Sequence, residues 1–175
     1  AVPGCEGLIY LPYMMGERTP HLDPYAKAVF FGISAKHGRN EMIRAVMEGV
    51  TYSLRDCLEI IKSMGVPVSE VRASGGGGKS RIWRQMQADV FSNAITTINS
   101  TEGPALGVAL LAGVGAGVYS SVIEACDTAI KTVSVQEPIA ENVKVYDKYY
   151  QVYKDLYYAL KDNYLRIAEI TRELS

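Results

Sequence analysis

The stretch from residue 71 to residue 80 reads Val-Arg-Ala-Ser-Gly-Gly-Gly-Gly-Lys-Ser. A β-prone segment, Val68–Ala73, runs into four glycines, and an amphipathic helix is predicted over Arg81–Ser92. Glycine lacks a Cβ atom, so its backbone can take a positive φ and approach a ligand closely, while the first amides of the following helix are unpaired donors. The pattern is typical of a nucleotide-binding turn, although a strand-to-helix turn that merely requires glycine fits the same residues.

A second nucleotide-binding interpretation is a P-loop. Ala73–Ser80 satisfies a permissive P-loop pattern in which Lys79 would neutralise phosphate, but the strict first glycine is absent. A P-loop enzyme also needs an acidic residue at the end of a second apolar strand to hold magnesium. The next predicted strand, Ile95–Ile98, is followed first by polar residues, and the earliest acid, Glu102, comes late and in a loop. The P-loop therefore ranks second.

The composition limits the class of protein. The chain has 175 residues, of which 48% are hydrophobic, so it can bury a core and is most simply one domain. Its formal net charge of −1, without a basic stripe, argues against nucleic acid as a partner. Cys5, Cys57 and Cys126 are odd in number and far apart, which fits a reducing cytoplasm. His21 and His37 have no cysteine partner nearby, so they are interpreted as surface or loop residues and not metal ligands.

The segment Ala105–Ile123 carries no charge, and its length alone would permit a membrane span. Gly113 and Gly117 have the spacing of small residues in packed membrane helices. Several glycines lower its helix propensity, however, and Ser121 followed by Glu124 resembles a capping box that begins another helix. We therefore predict a buried helix that packs closely against its neighbours, with no membrane partner and no secretory signal.

Alternation of helices and strands predicts an α/β architecture. Gly7–Tyr13 is predicted as a strand, Gly16–Tyr25 as a loop, and a long helix is predicted from a cap at Asn40 to an end at Gly65. With the strands around the glycine run, only two or three strands are evident, which is few for a complete sheet.

The last predicted helix, after Pro138, has an apolar stripe and an unusual number of tyrosines. The tyrosines are Tyr146, Tyr149, Tyr150, Tyr153, Tyr157, Tyr158 and Tyr164. The favoured interpretation is a core face whose phenol tips reach solvent. The alternative is an interface, for which tyrosine is well suited, and which would make the protein a homodimer.

Several motifs in order resemble the C-terminal domain of FGGY-family carbohydrate kinases. They are Gly7–Tyr13, Gly16–His21, Asp23-Pro24, Ala28–Ile33, Glu41–Glu48, Gly75–Ser80, Trp83–Met86, Ala88-Asp89 and Glu102–Gly107. Together they cover most of residues 7 to 118, which is more specific than any single run. The tyrosine-rich helix matches the family only in character.

The resemblance implies an actin-like, hexokinase-like ATPase fold of the ribonuclease H-like type, helix-rich and with few strands. Residues 1–175 would be the C-terminal, ATP-binding domain, incomplete because the first strands of its sheet precede the excerpt. The glycine run would bind the adenosine of ATP or ADP, and the expected binding residues are Gly75, Gly76, Gly77, Gly78, Ser80 and Arg81. Lys79 would face solvent, and Gly78 stands where relatives usually have alanine, a difference expected to be tolerated.

For function, the resemblance implies ATP-dependent phosphorylation of a sugar hydroxyl, with D-xylulose as the expected acceptor and gluconate, ribulose or another ketose as alternatives. The sugar and the catalytic carboxylate would belong to an N-terminal domain that is absent here, so no residue of this chain is assigned as catalytic. Asp23 and Asp89 match no catalytic-aspartate motif of the family, and no catalytic role is assigned to them. Magnesium would be held through the nucleotide. Arg18 would bear on phosphate or on domain closure, or it would form a structural salt bridge. The excerpt alone is expected to be inactive.

Overall fold

A computed structural model describes residues 1–100 and 103–174, which divide into two compact units. The first unit contains Ala1–Pro67 and Ile139–Ser175. Its elements are a short 3-10 helix, Cys5–Gly7, strands β1 (Ile9–Leu11) and β2 (Val29–Phe31), and helices α1 (Arg39–Ser63) and α6 (Ala140–Glu173). The two strands pair antiparallel, with Tyr10 opposite Phe30.

The second unit contains Val68–Pro138. Its elements are strands β3 (Val71–Arg72), β4 (Ile95–Ile98) and β5 (Thr132–Gln136), and helices α2 (Gly75–Lys79), α3 (Arg81–Phe91), α4 (Gly103–Gly115) and α5 (Val122–Ala129). The strands form one sheet in the order β3-β4-β5. Strands β3 and β4 are parallel, and β5 runs antiparallel to β4. The helices between β3 and β4 therefore form the crossover of a βαβ motif.

Helix α1 begins earlier than its sequence suggests. The prediction placed the cap at Asn40, whereas the N-cap residue is Gly38. The reason is that the Glu41 carboxylate accepts a 2.9 Å hydrogen bond from the Gly38 N–H, which is the glutamate half of a capping box. The predicted end is confirmed: the helix stops at Ser63, and Gly65 follows with a φ of 76°.

The buried face of α1 is not its most apolar face. Ile43 and Leu54 are about half exposed, whereas the polar residues Glu48, Thr51 and Asp56 are buried. These polar groups are accommodated because each has a hydrogen-bond partner within the first unit.

The tyrosines of α6 provide most of those partners. Their phenols were predicted to reach solvent, but Tyr146, Tyr150 and Tyr157 are buried and donate to the carboxylates of Glu48, Asp56 and Asp23, respectively. Tyr153 shares a 3.0 Å hydrogen bond with Tyr13. The prediction of a core face is confirmed. The prediction that the phenols reach solvent is wrong, because α1 and the loop before β2 offer buried hydrogen-bond acceptors, which the helical pattern of the sequence does not reveal.

The predicted buried helix over Ala105–Ile123 is wrong in extent and in burial. Helix α4 ends at Gly115, and the chain turns through Gly117, whose φ is 77°. Ser121 then caps α5 by accepting from the Glu124 N–H, as its capping box predicted. Val108 and Leu111 of α4 are more than half exposed and Leu110 is buried, because α4 packs mainly against α5 in this unit. Among the described residues, no helix is both long and apolar enough to cross a membrane.

Candidate functional site

A cavity of about 180 Å³ lies where the glycine run follows β3. It is lined by Ala73, Ser74, Gly75, Gly78, Lys79, Thr97, Ile98, Ser100 and Val133. Because β3 and β4 are parallel neighbours, their carboxyl ends meet at one edge of the sheet, and α/β proteins bind ligands in the crevice outside that edge. Complete small-molecule sites are usually about 300–1,000 Å³, so this cavity has room for only part of a nucleotide.

The glycine run is a helical turn and not an open loop. The Gly78 N–H donates to the Ser74 carbonyl at 3.3 Å, and Arg84 donates from Nη1 to the Gly78 carbonyl at 2.6 Å. Gly75, at the start of this turn, has a φ of 64°, which favours glycine. These hydrogen bonds make the segment a short helix, α2, whereas the sequence predicted a turn whose backbone a ligand approaches closely.

The four glycines have different surroundings. Gly75 and Gly78 line the cavity, and Gly76 and Gly77 do not. A Cβ atom at Gly78 would lie 2.8 Å from the carbonyl oxygen of Ala73, so this position packs α2 against the end of β3. A Cβ atom at Gly77 would make only ordinary contacts with Trp83 and the Gln87 side chain, and one at Gly76 would meet nothing within 4 Å. Gly75 and Gly78 are therefore the two glycines that shape this cavity.

Ser80 and Arg81 lie at the start of α3 and do not line the cavity. The Ser80 hydroxyl accepts from the Trp83 N–H at 3.3 Å and so caps the helix. Arg81 is the first residue of α3 and is exposed. Their predicted contact with a nucleotide stays a prediction, and the role that the geometry gives to Ser80 is that of a helix cap.

Lys79 supplies the charge of the site. It is exposed, as expected, yet it borders the cavity, and it forms no ion pair with any described residue. The described lining residues include no carboxylate, so the cavity is suited to an anionic group. The P-loop alternative is not supported, because α2 leaves no open loop to surround phosphates.

Part of this lining was not predicted. Thr97 and Ile98 are the last two residues of β4 and Ser100 follows the strand, and the rule for carboxyl ends of parallel strands is the signal that could have identified them. Val133 comes from β5, which was not predicted as a strand, although the alternation in Thr132–Gln136 is typical of one. Glu102, the acid weighed for a P-loop, lies outside the described residues.

The loop around Arg18 belongs to the first unit. Glu17 accepts from the Thr19 N–H at 2.7 Å, and burial raises the pKa of the Glu17 carboxyl. Arg18 is exposed and forms no ion pair with a described residue, so the salt-bridge alternative is not supported. It borders a separate hollow with Met15 and Leu22.

The two aspartates left without a role have structural ones. Asp23 accepts from the N–H groups of Tyr25 and Ala26 and from the Tyr157 phenol. Asp89 is buried and accepts from the Gln85 amide at 2.8 Å. Both carboxylates therefore serve to order the chain around them.

Comparison with known proteins decides the family. Residues 1–116 match the model of the FGGY family of carbohydrate kinases, C-terminal domain. The chain belongs to the FGGY family of carbohydrate kinases. A xylulose kinase of Staphylococcus epidermidis is 42% identical over 88% of this chain, and a gluconokinase of Bacillus licheniformis is 35% identical over 99% of it. The crystal structure of a ligand-bound xylulose kinase from Lactobacillus acidophilus matches 95% of this FGGY chain with a TM-score of 0.86 and 32% identity.

These matches confirm the predicted fold: the chain has the C-terminal domain architecture of the FGGY kinases, of the actin-like ATPase type. The chain spans about a third of the length of the relatives it matches, since it covers 31% of the S. epidermidis kinase and 34% of the L. acidophilus chain.

Proposed function

We propose that this FGGY chain supplies the adenosine-binding part of an ATP-dependent carbohydrate kinase. One observation carries the proposal: the cavity at the carboxyl ends of β3 and β4 is lined by Gly75, Gly78 and the cationic Lys79. The backbone of the two glycines suits the base, and Lys79, which forms no ion pair with a described residue, suits an anionic group of ATP or ADP. The kinase names of the relatives support the same activity.

The proposed reaction transfers the γ-phosphoryl group of ATP to a sugar hydroxyl. Such transfer depends mainly on positioning and electrostatic stabilisation. Magnesium, bound through the phosphates, would neutralise charge on the transferred group; among the described residues no cluster of three or more His, Cys, Asp or Glu side chains is placed to hold a metal. This chain's share is to hold the nucleotide, and the residues that orient the sugar hydroxyl belong to the rest of the protein.

D-Xylulose is the proposed acceptor. A xylulose kinase of S. epidermidis is 42% identical over 88% of this chain, and one of Escherichia coli is 45% identical over 68% of it, against 35% for the gluconokinase of B. licheniformis. Gluconate is the second candidate because that gluconokinase matches 99% of this chain.

Three free cysteines, Cys5, Cys57 and Cys126, support a reducing compartment, and we propose the cytoplasm. A homodimer is not favoured by the tyrosines of α6, since most of them are buried in the first unit.

Calorimetric titration of this chain with ADP tests the nucleotide site. Gly78→Val would push a branched side chain into the Ala73 carbonyl and displace α2, so we expect at least about tenfold weaker ADP binding. Gly76→Val is the matched control, because its side chain would enter open space, and it should bind ADP as the unmodified chain does. Equal loss in both variants, or none in Gly78→Val, would show that the nucleotide binds elsewhere.

A coupled assay of the full-length protein tests the reaction and the sugar. With ATP and magnesium, we expect the highest kcat/KM for D-xylulose, and lower values for gluconate and ribulose. The 175-residue chain alone is expected to give no turnover. Turnover by the short chain, or a preference for gluconate in the full-length protein, would overturn the respective part of the proposal.

A further inference from the structure

A larger cavity, of about 500 Å³, lies in the first unit, and the proposed function makes no use of it. It is lined by Pro20, His21, Arg55, Asp56, Glu59, Ile60, Ser63, Tyr150, Gln151, Lys154 and Tyr158. These residues come from the last turns of α1, the middle of α6 and the loop that precedes β2. Its volume falls within the range of small-molecule sites.

Two of the charged lining residues are already paired. The Arg55 guanidinium lies 2.8 Å from the Asp147 carboxylate, and the Glu59 carboxylate lies 3.1 Å from the Lys62 ammonium. Arg55 also stacks over the Tyr150 ring, with its Cζ atom 4.2 Å from the centroid. Arg55 and Glu59 therefore make the lining of the cavity polar but add little net charge to it.

Asp56 and Lys154 are the other charged pair in the lining. Asp56 is only 7% exposed and accepts a 2.6 Å hydrogen bond from the Tyr150 phenol. Lys154 lies with its Nζ atom 4.9 Å from the Tyr150 centroid, and neither residue forms an ion pair with a described residue. The cavity thus offers a buried acceptor and a cationic donor, whose charges cancel.

Two further lining residues, His21 and Tyr158, belong to a group of aromatic rings that contact one another. The His21 ring is stacked on the Tyr157 ring with 3.5 Å between centroids and 8° between planes. Tyr158 meets the edge of His21 at 5.9 Å. Because these rings are held by each other, little side-chain entropy would be lost when a ligand packs against them.

We propose that this cavity binds a small neutral polyhydroxylated molecule. A hydroxyl group both donates and accepts, so adjacent hydroxyls can donate to Asp56 and accept from Lys154. An anion would meet the buried Asp56 carboxylate, and a cation would meet Lys154, so each is disfavoured relative to a neutral ligand. Carbon-bound hydrogens of such a molecule can pack on the rings of His21 and Tyr158 that line the cavity.

Titration of the 175-residue chain with xylitol, in the absence of nucleotide, tests the site. We expect saturable binding of xylitol, measured by ligand-observed NMR. Lys154→Met and Asp56→Asn should each weaken it by at least about tenfold, since each removes a charged hydrogen-bonding group. Lys148→Met is the matched control: this lysine is exposed on α6 and does not line the cavity, so xylitol binding should be unchanged.

Three outcomes would overturn the proposal: no saturable xylitol binding, equal binding by Lys154→Met and the unmodified chain, or binding of inorganic phosphate or glycine in place of xylitol. If Lys154→Met lowers the Tm, Lys154→Arg replaces it as the test: retained xylitol binding supports the proposal and lost binding contradicts it. ADP titration of the same samples reports on the cavity at Gly75 and Gly78, so failure here is distinguishable from failure of the proposed nucleotide site.

Discussion

The Tyr146 phenol on α6 donates a 2.9 Å hydrogen bond to the buried Glu48 carboxylate on α1. The same carboxylate oxygen accepts from the Gly4 N–H at 3.1 Å and from Arg44 Nε at 2.8 Å. Arg44 also donates from Nη2 to the Tyr146 oxygen at 2.6 Å. One buried network thus joins the N-terminal segment, α1 and α6, and its members stabilise the first unit only while each keeps its partners.

Tyr146→Phe removes one hydroxyl from this network. The Glu48 carboxylate loses a donor and the Arg44 guanidinium an acceptor, so the free energy of unfolding should fall by about 1–3 kcal/mol. Urea denaturation followed by circular dichroism measures it. Tyr158→Phe, at an exposed position of the same helix, should change stability by less than about 0.5 kcal/mol. Similar values for the two variants would contradict the role given to the network.

Gly49→Ala tests the close approach of α1 to β1. A Cβ atom at Gly49 would lie 2.1 Å from the carbonyl oxygen of Tyr10, so the helix or the strand must move. We expect a loss of about 1–3 kcal/mol or more, measured as a lower Tm. Gly107→Ala in α4 is the control: its Cβ atom would meet nothing within 4 Å, and alanine should raise stability by about 0.5–1 kcal/mol. An unchanged Tm for Gly49→Ala would show that this contact is looser than described.

Asp56→Asn should change the pH dependence of stability. Burial raises the pKa of the Asp56 carboxyl above its ordinary value of 3.8, although Tyr150 and Lys154 act in the opposite direction. The folded protein therefore holds this proton more tightly than the unfolded chain does. The stability that this gives below pH 3.8 is lost as the pH rises through the pKa of Asp56 in the folded state. Asparagine does not titrate, so the stability of the variant relative to the unmodified chain should rise from pH 3.5 to pH 7. A constant difference across urea titrations at these pH values would contradict the shift.

His21→Phe should act in the opposite pH direction. Burial lowers the pKa of His21 below its ordinary value of 6.5; the nearby Asp23 raises it and Lys161 lowers it further. The unfolded chain then binds the proton more readily, so stability is lost as the pH falls below 6.5 and through the pKa of His21 in the folded state. Phenylalanine can keep the stack on Tyr157 without binding a proton, and should lose less stability between pH 7 and pH 5. Equal slopes for His21→Phe and the unmodified chain would refute this account.

Much of the local structure was predictable from the sequence. Apolar residues at helical spacing predicted α1, α3 and α6, and the glycines and Ser121 marked where helices end or begin. Strand β2 was not predicted, because three residues carry little periodic signal, and β5 was missed although its residues alternate as a strand's do. For the candidate site, the sequence pointed to all four glycines equally, whereas contacts with Ala73 and the strand ends single out Gly75 and Gly78.

The sequence by itself determined the family and the places where helices and turns form, since these depend on residues close to one another along the chain. Only the tertiary structure decided which face of each helix is buried, and that Glu48, Asp23 and Asp56 receive phenols from α6. The physical reason is distance along the chain: Tyr146 and Glu48 are 98 residues apart, and no local pattern shows that a buried carboxylate will find its donor there.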